Sequence, residues 1–295
     1  MRSTPMRTTA ARENVASTAH LTAWMRTLGR AVAGEDAANA DYLAQHCLLP
    51  MQRRTMVAPR LTRWICERTM PGALGYFNAR TRYFDDVLSS ELASGLDQLV
   101  LLGAGFDSRP FRFAQQLTAA RVFAVDMPNV LHEREALLGE FPQAASNVAV
   151  PIDFEREDLA DRLLAHGYQV EGARTLFLWE GVTYYLEPEA VDAVLSKLSA
   201  LSSRDSSLVF DYTTQAFFEG DKSSYGARGL ARGWRSLGNV HRSGVSDVGA
   251  LLRPQGFELR SEVGASELES RYLNALPGGP LKAWGPLRIA YAQRS

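Results

Sequence analysis

The stretch Leu101-Leu102-Gly103-Ala104-Gly105-Phe106-Asp107-Ser108-Arg109 decides how this chain is read. An apolar run, Leu99 to Leu102, passes directly into two glycines and then into residues that open a helix. Glycines at the end of a first strand let the backbone turn tightly and let a ligand approach with no side chain in the way. About twenty residues further on, the run Val122-Phe123-Ala124-Val125 ends in Asp126, where a carboxylate can accept hydrogen bonds from both hydroxyls of a ribose. A dinucleotide site wants a third glycine, so that the pyrophosphate lies against the helix start. Here Phe106-Asp107-Ser108 stands in that place, and Asp107 would meet a phosphate with like charge. A cofactor without phosphate, such as S-adenosyl-L-methionine, tolerates the acid, because its sulfonium and amino groups are cationic.

Working outward, the same rhythm repeats. Val148-Ala149-Val150-Pro151-Ile152 is closed by Asp153, Leu176-Phe177-Leu178-Trp179 by Glu180, and Leu208-Val209-Phe210 follows. Runs without polar alternation suit strands buried on both faces. Helical patterns between them, Asn129 to Glu140 and Pro188 to Leu201, argue a parallel, doubly wound α/β sheet. Acids would then end strands one to four along the rim where such sheets bind ligands. Before the sheet, Leu21, Trp24, Met25 and Leu28, and then Leu61, Trp64, Ile65 and Arg68, recur at helical spacing, punctuated by Pro50, Pro59 and Pro71-Gly72. After it, residues 215–245 are rich in Gly, Arg and Ser and read as an insertion over the sheet. A short helix capped by Ser246 should precede two final strands, Phe257 to Val263 and Leu287 to Ala292. The expected division is an N-terminal helical cover over 1–95 and a Rossmann-like cofactor core over 96–212. A lid insertion over 213–245 follows, then a C-terminal helix and two strands over 246–295, all in one compact unit.

Composition narrows the function. The 295 residues are 46% hydrophobic and 22% charged, with a formal net charge of −1. That balance gives no general grip on nucleic acid, which works through clustered cations. Two widely spaced cysteines, Cys47 and Cys66, make neither a disulfide framework nor a zinc pattern, so no metal is expected and two reduced thiols are. No run reaches the roughly 20 apolar residues of a membrane span. The first thirty residues are rich in Arg, Ser and Thr but lack a secretory apolar region, and a cytoplasmic location is expected. Lys197, Lys222 and Lys282 are the lysines among 32 basic residues, an excess of arginine that coding bias also produces.

Taken together, Gly103 to Arg109, Val125-Asp126-Met127-Pro128 and Trp179-Glu180-Gly181-Val182-Thr183-Tyr184-Tyr185-Leu186 resemble the leucine carboxyl methyltransferase family. The closer likeness is to its bacterial small-molecule branch of tetracenomycin-type polyketide carboxyl O-methyltransferases, and it covers roughly Ala79 to Tyr212. The resemblance implies a class I methyltransferase fold with a seven-stranded sheet, and S-adenosyl-L-methionine as cofactor. It also implies an arginine before the first strand for the methionine carboxylate, met by Arg80 or Arg82. Gly103, with Ala104 and Gly105, carries over as the glycine turn beside the cofactor. Asp126, followed by Met127, carries over as the ribose acid, Asp153-Phe154 as the adenine contact and Glu180 as the acid near the methionine amino group. Gly181 and Tyr184 depart from the family pattern. Read without the family, Arg80, Arg82 and Arg109 are explained as well by solvation or by pairing with Asp85 and Asp86 as by a cofactor role.

A carboxylate acceptor is already ionised at neutral pH, so transfer to it needs no general base. The five histidines are scattered and form no catalytic set. His241, in the insertion, would be the base for a phenol or alcohol acceptor. Tyr185, at a family tyrosine position, and Tyr184 beside it would orient the acceptor. Tyr225, Arg228, Arg232, Trp234 and Arg235 would hold a planar acidic substrate by ion pairing and stacking. The expected activity is O-methylation of a small-molecule carboxylate by a monomer or homodimer. Hydroxyl methylation, a nicotinamide-dependent oxidoreductase and a non-catalytic S-adenosylmethionine-binding protein stay open as alternatives.

Overall fold

In a computed structural model of the chain, residues 6–34, 37–154, 156–236 and 242–295 are described, with side chains from Thr18 onward. Seven strands form one sheet: β1 (Gln98–Leu102), β2 (Arg121–Asp126), β3 (Asn147–Pro151), β4 (Thr175–Trp179), β5 (Ser207–Thr213), β6 (Phe257–Val263) and β7 (Leu287–Arg294). Their order is β3-β2-β1-β4-β5-β7-β6. The first five run parallel, and β7 inserts antiparallel between β5 and β6. Strand order reverses between β1 and β4, which opens a ligand crevice beyond their carboxyl ends. This is the doubly wound architecture that the apolar runs imply, completed by both expected terminal strands.

Every residue of β1, β4 and β5 is buried, because helices cover both faces. Alternate side chains feed two apolar clusters. Leu99, Leu101, Val122, Leu176, Leu178 and Val209 face Tyr76, Phe84 and Leu88 of the long helix Ala73–Ala93, with Met25 and Leu28 of the helix Met6–Ala33 behind them. Val100, Phe123, Val125, Phe177, Leu208 and Phe210 face Leu159 and Leu163 of one helix and Val191, Leu195 and Leu198 of another. Proline at the first turn starts the helices Pro59–Thr69, Pro128–Leu138 and Pro188–Ala200, where its missing N–H has no partner to lose. Both cysteines are buried free thiols, and burial pushes each up to about 12.

Two local expectations change. The short C-terminal helix is Val248–Leu252, and its cap is Asp247 rather than Ser246. Extended backbone at Asp247 (φ −139°, ψ 104°) lets its carboxylate accept from the Ala250 N–H at 2.9 Å. The insertion is not a plain loop either. It carries the helices Gln215–Phe218 and Ala227–Ser236, and Thr214 bridges Val245 to return the chain to the sheet.

Helix Met6–Ala33 crosses helix Ala73–Ala93 at Gly29, where an added Cβ would lie 2.0 Å from Asn78 Oδ1. Asn78 has no room to yield, since its amide donates to Met25 O at 3.1 Å and Leu74 O at 2.7 Å. Gly29→Ala is therefore expected to cost about 1–3 kcal/mol by overpacking. Urea denaturation measures this, and an unchanged midpoint would show that the crossing tolerates a methyl group.

Candidate active site

The crevice between β1 and β4 deepens into a cavity of about 440 Å³. Gly103 ends β1 with φ +66°, and a Cβ there would come within 2.7 Å of Val182 Cγ2, so the turn demands glycine for conformation and for space. The turn is pinned by the Ala104 N–H to Val125 O (3.0 Å) and the Gly105 N–H to Asp126 Oδ2 (2.7 Å). Asp126 also accepts from its neighbour Met127 N–H through Oδ1 at 2.7 Å. It is 4% exposed and lines the cavity, and burial raises its carboxyl while the two backbone donors pull the other way.

Around this turn lies a buried network of ion pairs. Arg80, 2% exposed, places Nε 3.0 Å from Glu180 Oε1 and Nη1 2.7 Å from Asp211 Oδ2. Arg109 reaches Glu180 Oε2 at 2.9 Å, Asp107 Oδ2 at 2.6 Å and Asp85 Oδ1 at 2.7 Å. Arg112 forks onto Asp85 at 2.8 and 2.9 Å, and Arg26 Nε sits 2.8 Å from Asp41. Five carboxylates thus face four guanidiniums within the described residues. Asp107 and Glu180 are not bare acids on a rim; both are neutralised locally. Among the described residues Asp126 has no guanidinium within ion-pair distance; buried Arg134 acts on it only from beyond that distance, and the carboxylate sits beside the glycine turn.

Much of the remaining lining is apolar. Leu21, Met70, Phe77, Leu230, Trp234 and Trp284 meet there. Tyr184 packs between Tyr185 (4.7 Å between ring centroids) and Trp234 (5.2 Å), and accepts from Arg80 Nη1 through its hydroxyl at 3.4 Å. Burial raises both phenols, Tyr185 to about 12 and Tyr184 further, against the opposing pull of Arg80.

The structure brings together Arg80, Gly103, Ala104, Gly105, Asp107, Asp126, Met127, Phe154, Glu180, Tyr184, Tyr185 and Trp234 on one cavity. Others it leaves out. Arg82 follows Arg80 by two helical positions and so points elsewhere, donating to Ala37 O at 2.9 Å and lying over the Tyr272 ring at 4.8 Å. Asp153 is off the lining while its neighbour Phe154 is on it, 51% exposed. Arg228, Arg232 and Arg235 fall on the outer face of the helix Ala227–Ser236 and are exposed. Ala227, Leu230 and Trp234 take the inner face, since helical spacing of three and four separates what reads in sequence as alternation. Tyr225 is also exposed, with Lys282 Nζ 5.3 Å from its ring centroid. His241 lies outside the described residues.

Sequence reading missed Asp211, fully buried on β5, which accepts from Tyr76 OH (2.9 Å), Arg80 and the Gly181 N–H (2.6 Å). Its signal was present: an acid following the apolar run Leu208-Val209-Phe210, the same cue that marks Asp126 and Glu180. Arg26, Asp41 and Trp284 carry no such cue. Arg242 also lines the cavity and pairs with Glu187 at 3.1 Å.

Burial alone would raise the Glu180 carboxyl, but the guanidiniums of Arg80 and Arg109 hold it far below the usual carboxylate range, at about 2. A depressed carboxylate stabilises the fold above its unfolded value of 4.5, and that contribution is lost as pH falls toward 2. Stability should decline through that acid window. Glu180→Gln should remove this dependence and cost roughly 3–5 kcal/mol at pH 7, because two buried guanidiniums lose a partner. Denaturant titrations at pH 7 and pH 3 measure both effects; equal stability of variant and parent at pH 7 would rule the network out as a support of the fold.

The pattern described as leucine carboxyl methyltransferase matches residues 20–199. A Frankia alni protein named "Putative S-adenosyl-L-methionine-dependent methyltransferase" is 33% identical over 184 residues, 62% of this chain and 63% of that one. A Mycolicibacterium vanbaalenii protein of the same name is 32% identical over 209 residues, 67% of this chain. The chain thus spans 63% and 66% of the lengths of these curated relatives. Among solved structures, a DUF574 family protein of Streptomyces avermitilis superposes with a TM-score of 0.56 at 14% identity, over 92% of this chain and 97% of that one. A methyltransferase structure from Thermobifida fusca, titled as putative, gives 0.54 at 20% identity over 92% and 94%. These two show the fold alone. With the seven-stranded order and the match over residues 20–199, the chain belongs to the leucine carboxyl methyltransferase family, whose cofactor is S-adenosylmethionine and whose fold is that of the class I methyltransferases.

Proposed function

We propose that the chain is an S-adenosylmethionine-dependent O-methyltransferase whose acceptor is the carboxylate of an apolar small molecule. The observation that carries the acceptor class is the apolar, aromatic part of the cavity, where burial keeps the hydroxyls of Tyr184 and Tyr185 protonated. Neither can serve as a general base near neutral pH, and a carboxylate is an acceptor that needs none.

The residues present fit the cofactor. A Cβ would fill the turn at Gly103, and Asp126 places a buried carboxylate with no ion-pair partner among the described residues beside that turn, as the ribose hydroxyls require. Phe154 offers a face for the adenine. Arg80 and Glu180 meet the cavity together, where the methionine carboxylate and amino group would pair with them. When bound, the cofactor supplies a methyl group on a sulfonium for in-line displacement by a carboxylate oxygen. The protein's share is alignment and removal of water. The ion-pair network holds Arg80 and Glu180 rigid, Leu230, Trp234 and Trp284 exclude water, and the tyrosine hydroxyls donate to the acceptor.

A methyl ester hydrolyses in mild base and an ether does not. The expected result is a product whose label is released by base, and a base-stable product would transfer the assignment to hydroxyl acceptors. Asp126→Ala should weaken S-adenosylhomocysteine binding by about 10–100-fold, the worth of hydrogen bonds to a charged group. Calorimetry reads this directly, and unchanged affinity would refute the ribose role.

A further inference from the structure

The helices Pro50–Thr55 and Pro59–Thr69 carry an outward face that no other part of the described chain covers. Met51 (71% exposed), Val57 (88%), Leu61 (57%), Trp64 (58%) and Ile65 (47%) stand out from it. Interleaved with them are Arg53, Arg54, Arg60, Arg63 and Arg68, against one acid, half-buried Glu67. None of these arginines pairs with a carboxylate within 4.0 Å among the described residues. Arg63 donates to Gly278 O and Pro280 O and Arg53 to Leu48 O and His46 O, while Arg68 lies over the Trp64 ring at 4.9 Å. Arg54, Arg60 and Arg68 are left as exposed cations without an acidic partner among the described residues. The lid helix Ala227–Ser236 continues the face. A Cβ on its Gly229 would lie 2.9 Å from Pro71, just past the end of the second helix, and its outward Arg228, Arg232 and Arg235 have no acid among them. The cavity is bordered by the same two elements, through Met70 on one and Leu230 and Trp234 on the other.

We infer that this face docks on an anionic lipid surface, with the apolar side chains entering the interface and the guanidiniums paired to lipid phosphates. No helix among the described residues is long and apolar enough to cross a membrane, so the contact is one of surface, not span. Charge selects this occupant. A two-fold contact with a second copy would press the same unpaired guanidiniums against one another, whereas an anionic bilayer neutralises them and accepts Trp64, Leu61 and Ile65 at headgroup depth. Docked there, the elements bordering the cavity lie against the lipid, from which an apolar acid would enter.

The test is flotation of the purified chain with vesicles of phosphatidylcholine alone or with phosphatidylglycerol added, alongside Trp64→Phe to identify the tryptophan whose emission shifts. Binding to the anionic vesicles, weakened by salt and accompanied by a blue shift that Trp64→Phe removes, is expected. The triple variant R60E/R68E/R232E should lower partition at least about tenfold, and L61S/I65S should also lower it. Both should still bind S-adenosylhomocysteine, which checks folding independently of any acceptor. No flotation with anionic vesicles, equal flotation with both kinds, or undiminished flotation of the folded triple variant would overturn the proposal. So would light scattering showing a dimer that L61S/I65S converts to monomer.

Discussion

Burial of charge is the constraint on which this structure turns. Arg80, Arg109 and Asp211 lie almost out of reach of water, with Glu180 partly buried between the two arginines, and a lone ion in such a position would cost several kcal/mol. They are tolerable because each finds partners from a different element. Helix Met6–Ala33 brings Arg26, helix Ala73–Ala93 brings Arg80 and Asp85, the turn after β1 brings Asp107 and Arg109, and β4 and β5 lead to Glu180 and Asp211. Lifting the helical cover away would strand charges on both sides. The cover and the sheet are therefore bound by electrostatic necessity as well as by the apolar contact of Tyr76 and Phe84 with the strands.

The same arrangement divides the cavity by chemistry. Next to the glycine turn, five carboxylates face four guanidiniums, and Asp126 adds a further carboxylate that buried Arg134 partly offsets. Away from the turn the walls are largely aromatic and apolar, with the phenols of Tyr184 and Tyr185 kept protonated by burial and with Arg242, paired to Glu187, among the lining. A cationic cofactor finds suitable surroundings beside the turn. The helix Ala227–Ser236 contributes through its apolar stripe, and its arginines face outward, away from the cavity.

Much of this was legible from residues alone. Continuous apolar runs mark β1, β2, β4 and β5, because strands covered on both faces leave no room for polar alternation, and Gly103 marks the turn because no other residue fits there. β3 reads the same way but is an edge strand, with Ala149 exposed and Val150 alone fully buried. Asp211, an acid following the run of β5 as Asp126 and Glu180 follow theirs, went unread. The pairing of Arg109 with Asp85 was among the open readings, but the bond of Arg109 to Glu180, 71 residues away, and the inclusion of Arg26 and Asp41 were not legible, since such partners meet only when separate elements pack. The Asp247 cap was hidden for a smaller reason: Ser246 and Asp247 are both good caps, and backbone geometry chooses between them.

Sequence by itself determined the doubly wound sheet, the glycine turn and the strand-end acids, all of which follow from local periodicity and the steric needs of the backbone. Tertiary structure decided which partners complete the charge network. It also turned Arg228, Arg232 and Arg235 of the helix Ala227–Ser236 to solvent. Those outcomes depend on the rotation of helices about their axes and on which surfaces remain uncovered. Distances of this kind are set by packing between elements remote in the chain, and no local pattern encodes them.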